Sequence, residues 1–367
     1  MTGCGRDPVR VERNPLMALY AFDRRRFLAG GVALGIGSRA LAVPASNRGA
    51  TVDPTGRPGT IPTLTAALEL ADRAGGNPFT IWLGPGIFTE KCVVRAPNVT
   101  IAGSGPRTII SFGAAAGLHR PDGGKWGTGG SATLTVEAPG ATLRNLTIRN
   151  SFDFLQDRIT QASGGAQAVA LSLGRGADRS RVENCAIEGY QDTLYVQGRA
   201  RFSDCRISGC VDFIFGGAAA LFDRCEIVSR LVPGAEIQGY LSAPSTPADQ
   251  TYGLVFADCR ITREAGVPDA STYLGRPWRA GGNMRLVGAS AFLRCWMDAH
   301  IRAEGWTAMG FTDPAGQKRL FQPADARLLE FASRGPGAGP AAIGRRLLTA
   351  SQAAAFTPRA VLGDWHG

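Results

Sequence analysis

Histidine is scarce in this chain. Only His119, His300 and His366 occur among 367 residues, and none stands in a recognisable catalytic setting. No G-x-S-x-G segment is present, which argues against a Ser-His-Asp esterase built on a nucleophile elbow. No two cysteines have C-x-x-C spacing and no histidine lies near one, so a tetrahedral zinc site has no ligand set. Blocks of Lys and Arg interleaved with aromatics are missing, which disfavours nucleic acid as the partner. Long amphipathic helices and a dense Leu/Asn pattern are missing too, which removes helical and leucine-rich solenoids.

What is present begins with an N-terminal segment that does not read as part of a fold. "DRRRFLAGGVALGIGSRALAVPAS" has an arginine cluster (Arg24, Arg25, Arg26), then Phe27-Leu28, a weakly apolar Gly/Ala run, and Ala40-Leu41-Ala42 as a small-x-small cleavage site. Residues 1–42 are therefore expected to be a twin-arginine-type signal peptide, with Met17 a possible true start. The apolar run is too short and too interrupted by Gly for a stable membrane span. Removing this segment takes away seven Arg and three acids, and the formal charge falls from +10 to +6. Outside the cytoplasm, an acidic polysaccharide suits such a charge as well as nucleic acid does. Beyond Cys4, seven cysteines remain: Cys92, Cys185, Cys205, Cys210, Cys225, Cys259 and Cys295. Export permits disulfides, and the odd count leaves at least one thiol free or paired between chains.

A short phrase recurs along the chain: Asn98-Val-Thr-Ile101, Asn145-Leu-Thr-Ile148, Asn184-Cys-Ala-Ile187, Asp204-Cys-Arg-Ile207, Arg224-Cys-Glu-Ile227 and Asp258-Cys-Arg-Ile261. Its alternation is that of a strand with one buried face. From Cys185 to Cys205 to Cys225 the step is twenty residues. Short strands, turns rich in Gly, Asn and Asp, and irregular insertions at such a period predict a parallel β-helix, an all-β single-domain solenoid over roughly residues 47–365. "TLTAALELADRA" (Thr63 to Ala74) has helical spacing and is expected to cap the open end of the stack. "TASQAAAF" near the C-terminus is a second helix candidate, starting at a Thr or Ser cap. The cysteines of the phrase become small interior residues in successive coils. Cys205 and Cys225, on adjacent rungs, form the candidate disulfide.

The same step separates Asp192, in "GYQDTLYV", from Asp212, in "VDFIFG". Neighbouring coils lie about 4.8 Å apart, so the repeat predicts that the two carboxylates lie side by side. Either acid alone would read as a turn contact or half of a salt bridge. Two carboxylates at that spacing cannot both ionise easily, so one holds its proton while the other stays charged. A general acid beside a nucleophile or base is the chemistry this pair offers.

Four segments in order, "QAVALSL" (Gln167 to Leu173), "GYQDTLYV" (Gly189 to Val196), "VDFIFG" (Val211 to Gly216) and "YLGRPW" (Tyr273 to Trp278), resemble the signature segments of the pectin methylesterases. The similarity runs from "TLTAALELA" through "PGIFTEKCVV" to "VLGDW". It implies a right-handed parallel β-helix that hydrolyses methyl esters of polygalacturonate and releases methanol, with no metal or cofactor, as a monomer acting on pectin. By the same resemblance Asp212 is the nucleophile, and Asp192 protonates departing methanol and then serves as base. Gln191 and Gln167 supply amide donors to the oxyanion, Arg276 holds Asp212 ionised, and Trp278 walls the sugar subsite. Thr133, Phe215 and Met309 are implied substrate contacts, with simple packing the alternative for Trp278, Phe215 and Met309. One departure is Gly86-Ile-Phe88-Thr-Glu90, where the family has Tyr in place of Phe88. Gly113 to Gly130 and the insertion Leu231 to Gln250 are expected to form loops near the cleft. The competing readings are a β-helix polygalacturonase or pectate lyase, and a non-catalytic pectin-binding or other-ester β-helix protein. The first two would need acid clusters, a catalytic His or a calcium site that the sequence does not show.

Overall fold

A computed structural model describes residues 48–340 and 344–365, which belong to one compact unit starting at Ala45. The predicted signal segment 1–42 and His366 lie outside the described residues. Three parallel sheets are wound from the same chain. One has ten strands from Gly49–Val52 to Arg327–Phe331, one has eight from Gly86–Phe88 to Trp296–Met297, and one has seven from Cys92–Val94 to Thr272–Gly275. Successive coils visit the first, second and third sheet in turn, which is a parallel β-helix. The antiparallel pair Met309–Thr312 and Lys318–Phe321 is a separate hairpin.

Stacking of like residues in register explains why this sequence winds. In the first sheet Val182 pairs with Phe202, then Phe222, Phe256 and Phe292 follow on the next strands. Their rings stack at 4.6, 4.6 and 4.4 Å between centroids, and all four phenylalanines are fully buried. In the second sheet Ile148, Ile187, Ile207, Ile227, Ile261 and Met297 form one interior column. Each coil alone could not bury this face, so each stabilises its neighbours.

The recurring phrase marks the corner between the first and second sheets. Asn145, Asn184, Asp204, Arg224 and Asp258 all take a left-handed backbone, as does Arg294, whose phrase carries Met297 in place of Ile. Pairs of these corner residues join neighbouring coils outside the core. Asn184 Nδ2 donates to Asn145 Oδ1 at 2.9 Å, and Arg224 and Arg294 make double contacts to Asp204 and Asp258. Asn98 is a correction to the repeat. It also has positive φ, but it leads into Val99–Gly103 of the first sheet and belongs to a different corner. Its phrase matches locally because any left-handed turn entering a half-buried strand has that pattern.

The cysteines stack as expected, without a bond. All seven are free and buried. Cys205, Cys225, Cys259 and Cys295 each donate to a carbonyl of the preceding coil, those of Val182, Phe202, Phe222 and Phe256, at 3.3 to 3.5 Å. In-register side chains on parallel strands run side by side, and each sulfur is turned to a backbone acceptor. Cys205 and Cys225 therefore form no disulfide here, contrary to the expectation from their spacing. Burial pushes the thiols of Cys92, Cys185 and Cys210 up to about 12.

The end of the stack is closed by the helix Leu64–Arg73, capped by Thr63, with Leu64, Ala67, Leu68 and Ala71 buried. Glu90 accepts hydrogen bonds from the amides of Leu64 and Thr65 at this helix start, both at 2.8 Å. Phe88 is buried, so the ring without a hydroxyl is a core residue. Ala350–Ala353, capped by Thr349, is the second expected helix. The insertion after Leu231 is not all loop: Gly239–Pro244 is a strand of the third sheet.

Candidate active site

Asp192 and Asp212 stand at the turn where the chain passes from the second sheet into the third. Each adopts a left-handed backbone, with φ of 60° and 49°, which Asp tolerates better than most residues. Two residues later the strands Leu194–Val196 and Ile214–Gly216 pair with Leu194 opposite Ile214. The amides of Asp192 and Leu194 donate to the carbonyls of Val211 and Phe213 at 3.0 and 2.8 Å. The two aspartates are thus the same position of adjacent coils, as the twenty-residue step predicts.

Arg276 joins them from two coils further on. It follows Thr272–Gly275, and Gly275 lies beside Ser242 while Ala243 lies beside Phe215. From there its Nε and Nη2 donate to Asp212 Oδ1 and Oδ2 at 2.9 and 2.7 Å. Its guanidinium stacks over the Tyr240 ring at 3.9 Å, so aromatic and carboxylate together fix its plane. Burial pushes both aspartates above the ordinary carboxylate range. Asp192 moves much further, because after burial the facing Asp212 charge adds to the cost of ionising it. In Asp212 the Arg276 contacts oppose the effect of burial. The pair is therefore ordered: Asp212 gives up its proton first and Asp192 keeps one.

Both acids open into a cavity of about 320 Å³. Gln167 and Gln191 line it, and neither side-chain amide is hydrogen-bonded to a described residue. Ala168 N donates to Gln191 O at 3.1 Å, which places the two glutamines on adjoining coils. Tyr195 and Phe215 stack at 4.4 Å, and Trp278 meets Phe215 edge-on at 5.8 Å, giving the cavity one aromatic wall. Met309 reaches it from the hairpin, which Arg279 holds by covering the rings of Phe321 and Phe311 at 4.0 and 5.1 Å.

Thr133 does not belong to this group. It is fully buried, and its hydroxyl lies 2.9 Å from Arg149 O and 3.2 Å from Phe112 O. Its role is to tie coils together, and Thr128 and Gly129 line the cavity instead. Tyr195, Ala243 and Tyr240 were also missed in the sequence. Tyr195 had a readable signal, since it precedes Phe215 by the same twenty residues that separate the aspartates. His300 is buried with Nε2 at 3.0 Å from Ser229 Oγ, and burial lowers it to about 4. Among the described residues no three His, Cys, Asp or Glu side chains converge as metal ligands would.

Known proteins resemble this chain in sequence and in fold. The pectinesterase family model matches residues 50–363. Pectinesterase A of Dickeya chrysanthemi is 39% identical over 325 residues, covering 83% of this chain and 88% of that protein. The structure superimposes on that of a pectin methylesterase from Erwinia chrysanthemi with a TM-score of 0.82 at 40% identity, over 86% of this chain and 97% of the other. A pectin methylesterase from Yersinia enterocolitica gives 0.79 at 42% identity, over 83% and 99%. These solved enzymes are right-handed parallel β-helices, which fixes the hand of the coil described above. With the match running through nearly every coil and both ends of the stack, this chain is a member of the pectinesterase family.

Proposed function

We propose that the protein removes methyl groups from methyl-esterified homogalacturonan, yielding pectate and methanol, with Asp212 as nucleophile and Asp192 as acid and then base. The observation that carries this reading is the asymmetric pair: Asp212 clamped by Arg276, and Asp192 one coil away without such a partner. A related pectin methylesterase structure, matching at a TM-score of 0.82, holds a hexasaccharide, which supports a sugar polymer as ligand of this cleft.

The residues order the steps. The Asp212 carboxylate attacks the C6 ester carbon, and the carbonyl π pair moves to its oxygen. The amides of Gln167 and Gln191 donate to that oxyanion. Collapse breaks the bond to the methoxy oxygen, which takes the proton from Asp192 and leaves as methanol. An acyl-enzyme anhydride on Asp212 remains, with Asp192 ionised. Asp192 then takes a proton from an attacking water, the carbon–Asp212 bond breaks, and the free uronic acid departs with Asp212 restored as a carboxylate. Each acid ends as it began.

Export by the twin-arginine-type segment to the periplasm or beyond, and action there as a monomer in pectin breakdown or wall modification, complete the proposal. Methanol release from highly methylated pectin tests the activity, with Asp212→Asn as the inactive control and Asp192→Asn as a strongly impaired one. New reducing ends without methanol would overturn it. Fractionation of cells carrying Arg24→Lys with Arg25→Lys, and sedimentation of the mature protein, test the route and the oligomeric state.

A further inference from the structure

The phenylalanine column of the first sheet ends in an acid. On the last strand, Arg327–Phe331, the residue in register with Phe292 is Glu330, and it is buried. A carboxylate at the end of an apolar column is costly unless it is paired and hydrogen-bonded. Arg345 supplies the pair. Its side chain is fully buried, and its Nη1 donates to Glu330 Oε2 at 2.9 Å. Trp306, which meets the ring of Phe292 edge-on at 5.7 Å, donates from Nε1 to Glu330 Oε1 at 3.1 Å. None of the three is among the described residues lining the catalytic cavity.

An apolar pair of similar volume is often as stable as a buried salt bridge, so the stack could close without ions, and what the ions add is direction. The other donors of Arg345 show where it is aimed. Nε donates to Ala303 O, and Nη2 donates to Arg302 O and Gly337 O, all at 2.9 Å. Gly305, with φ of 67°, lies so near that a Cβ there would stand 2.8 Å from Arg345 Nε. Residues 302–306 are thus gripped through carbonyls at one end and through the Trp306 indole at the other. This segment runs beside the strand that leads to Arg276. Leu274 N donates to Gly305 O at 2.6 Å, and Thr307 N donates to Gly275 O at 3.2 Å. Arg276 is the next residue after Gly275, and Met309, on the cavity wall, is two beyond Thr307. A second path runs through rings. The Arg302 guanidinium covers Tyr273 at 5.1 Å, Tyr273 stacks on Tyr240 at 5.8 Å, and Tyr240 carries the Arg276 guanidinium at 3.9 Å.

We propose that Glu330, Arg345 and Trp306 are positioning residues for the reaction: by fixing residues 302–306 they set the backbone at Gly275 and so aim the Arg276 fork at Asp212. The kinetic side of this inference rests on the esterase reading, whereas the fork itself can be observed without turnover. Arg276 meets both oxygens of Asp212, and a contact bonded at two points loses one of them on a small tilt of the guanidinium. A shift of about 1 Å that starts far from the chemistry can cost roughly 100-fold in rate. The C-terminal segment bearing Arg345 is in this sense part of the catalytic machinery, although it touches neither aspartate.

The test uses the mature chain carrying Glu330→Gln together with Arg345→Met, which removes both charges at once and leaves Trp306 an acceptor. Trp306→Phe, which keeps the ring on Phe292 and the ion pair, is the milder second variant. Methanol release from highly methylated pectin is measured well below each melting transition. The double variant should lose kcat roughly tenfold with little change in KM. Its acid limb should move to higher pH, because Asp212 loses part of its hold on Arg276. Trp306→Phe should move both in the same direction by less, and crystals of either variant should show the fork open at one oxygen of Asp212. A folded variant with a lower melting temperature but kcat, acid limb and fork all unmoved would reduce the three residues to an end cap and overturn the inference. If the double variant does not fold, Trp306→Phe decides by the same criteria. A wild type that releases no methanol removes the esterase reading alone, and the fork in the variant crystals then decides.

Discussion

Arg276 holds both oxygens of Asp212, at 2.9 and 2.7 Å, across 64 residues of sequence, while Asp192 on the adjoining coil has no such clamp. That one contact separates two chemically identical acids into a carboxylate and a carboxylic acid. Neither separate burial nor mutual proximity would do so alone, since both raise either member of the pair.

The rate of methanol release should follow a bell in pH, with macroscopic constants that belong to the pair. Activity rises as the first proton leaves, chiefly from Asp212, and falls as the second leaves, chiefly from Asp192. Asp192→Asn is expected to cut turnover about 100- to 10,000-fold and to erase the alkaline limb. It should also raise the melting temperature at neutral pH. The folded pKa of Asp192 lies above its unfolded value near 3.9, so its stabilising contribution is complete below that pH and lost as pH rises towards the folded value. Asn has no proton to lose. A wild-type profile without an alkaline limb would contradict the assignment.

Arg276→Lys keeps the charge and loses the fork. Charge-assisted hydrogen bonds to a carboxylate contribute about 1.5–3 kcal/mol, so turnover should fall roughly 10- to 100-fold. The direction of the pH effect follows from the site. Arg276 opposes the upward push of burial on Asp212, so weakening it moves the acid limb to higher pH. A profile displaced to lower pH would show that Arg276 does not govern this group.

Much of this site was legible because two coils have equal length. Asp192 and Asp212, Tyr195 and Phe215, and Phe202 and Phe222 all differ by one twenty-residue turn with no insertion between them. Beyond the strand Glu226–Ser229 the periodicity fails, because the chain from Leu231 to Gln238 loops out before Gly239–Pro244 rejoins the third sheet. Tyr240 and Arg276 are therefore beyond the reach of counting, and only the local motif around Arg276 marked it. Thr133 shows the opposite limit. A threonine beside a Gly-rich loop looks like a ligand contact, and nothing local reveals that its hydroxyl is turned inward to Arg149 O and Phe112 O. The cysteine stack was correctly placed by the repeat, but the direction of each sulfur is set by the carbonyl above or below it, which the sequence does not display.

Gln191→Ala and Gln167→Ala should each lower kcat about 100- to 1000-fold with much less change in KM. Both amides are unengaged in the free protein, so their removal strands no partner and stability should hold. The expected effect is a loss of interaction with charge that develops only during reaction. A change confined to KM would make them substrate-positioning groups only.

The phenylalanine column is a continuous packing element of the coil. Phe222 lies between Phe202 and Phe256 and is completely buried. Phe222→Ala should cost about 3–5 kcal/mol, read from denaturant midpoints, since the cavity cannot collapse without shifting three strands. Phe222→Leu should cost markedly less. Equal losses for the two would mean that the column relaxes freely.

The mature protein should present no reactive thiol while folded. Its seven cysteines are all buried, and burial holds Cys92, Cys185 and Cys210 near 12, far from the thiolate that attacks a disulfide reagent. Native protein mixed with a coloured aromatic disulfide should therefore release almost no chromophore. Unfolding in the same reagent, without reductant, should then release the equivalent of all seven thiols, because Cys205 and Cys225 donate to backbone carbonyls and are not joined. Two thiols fewer, restored by prior reduction, would establish the bond that the stacking geometry argues against.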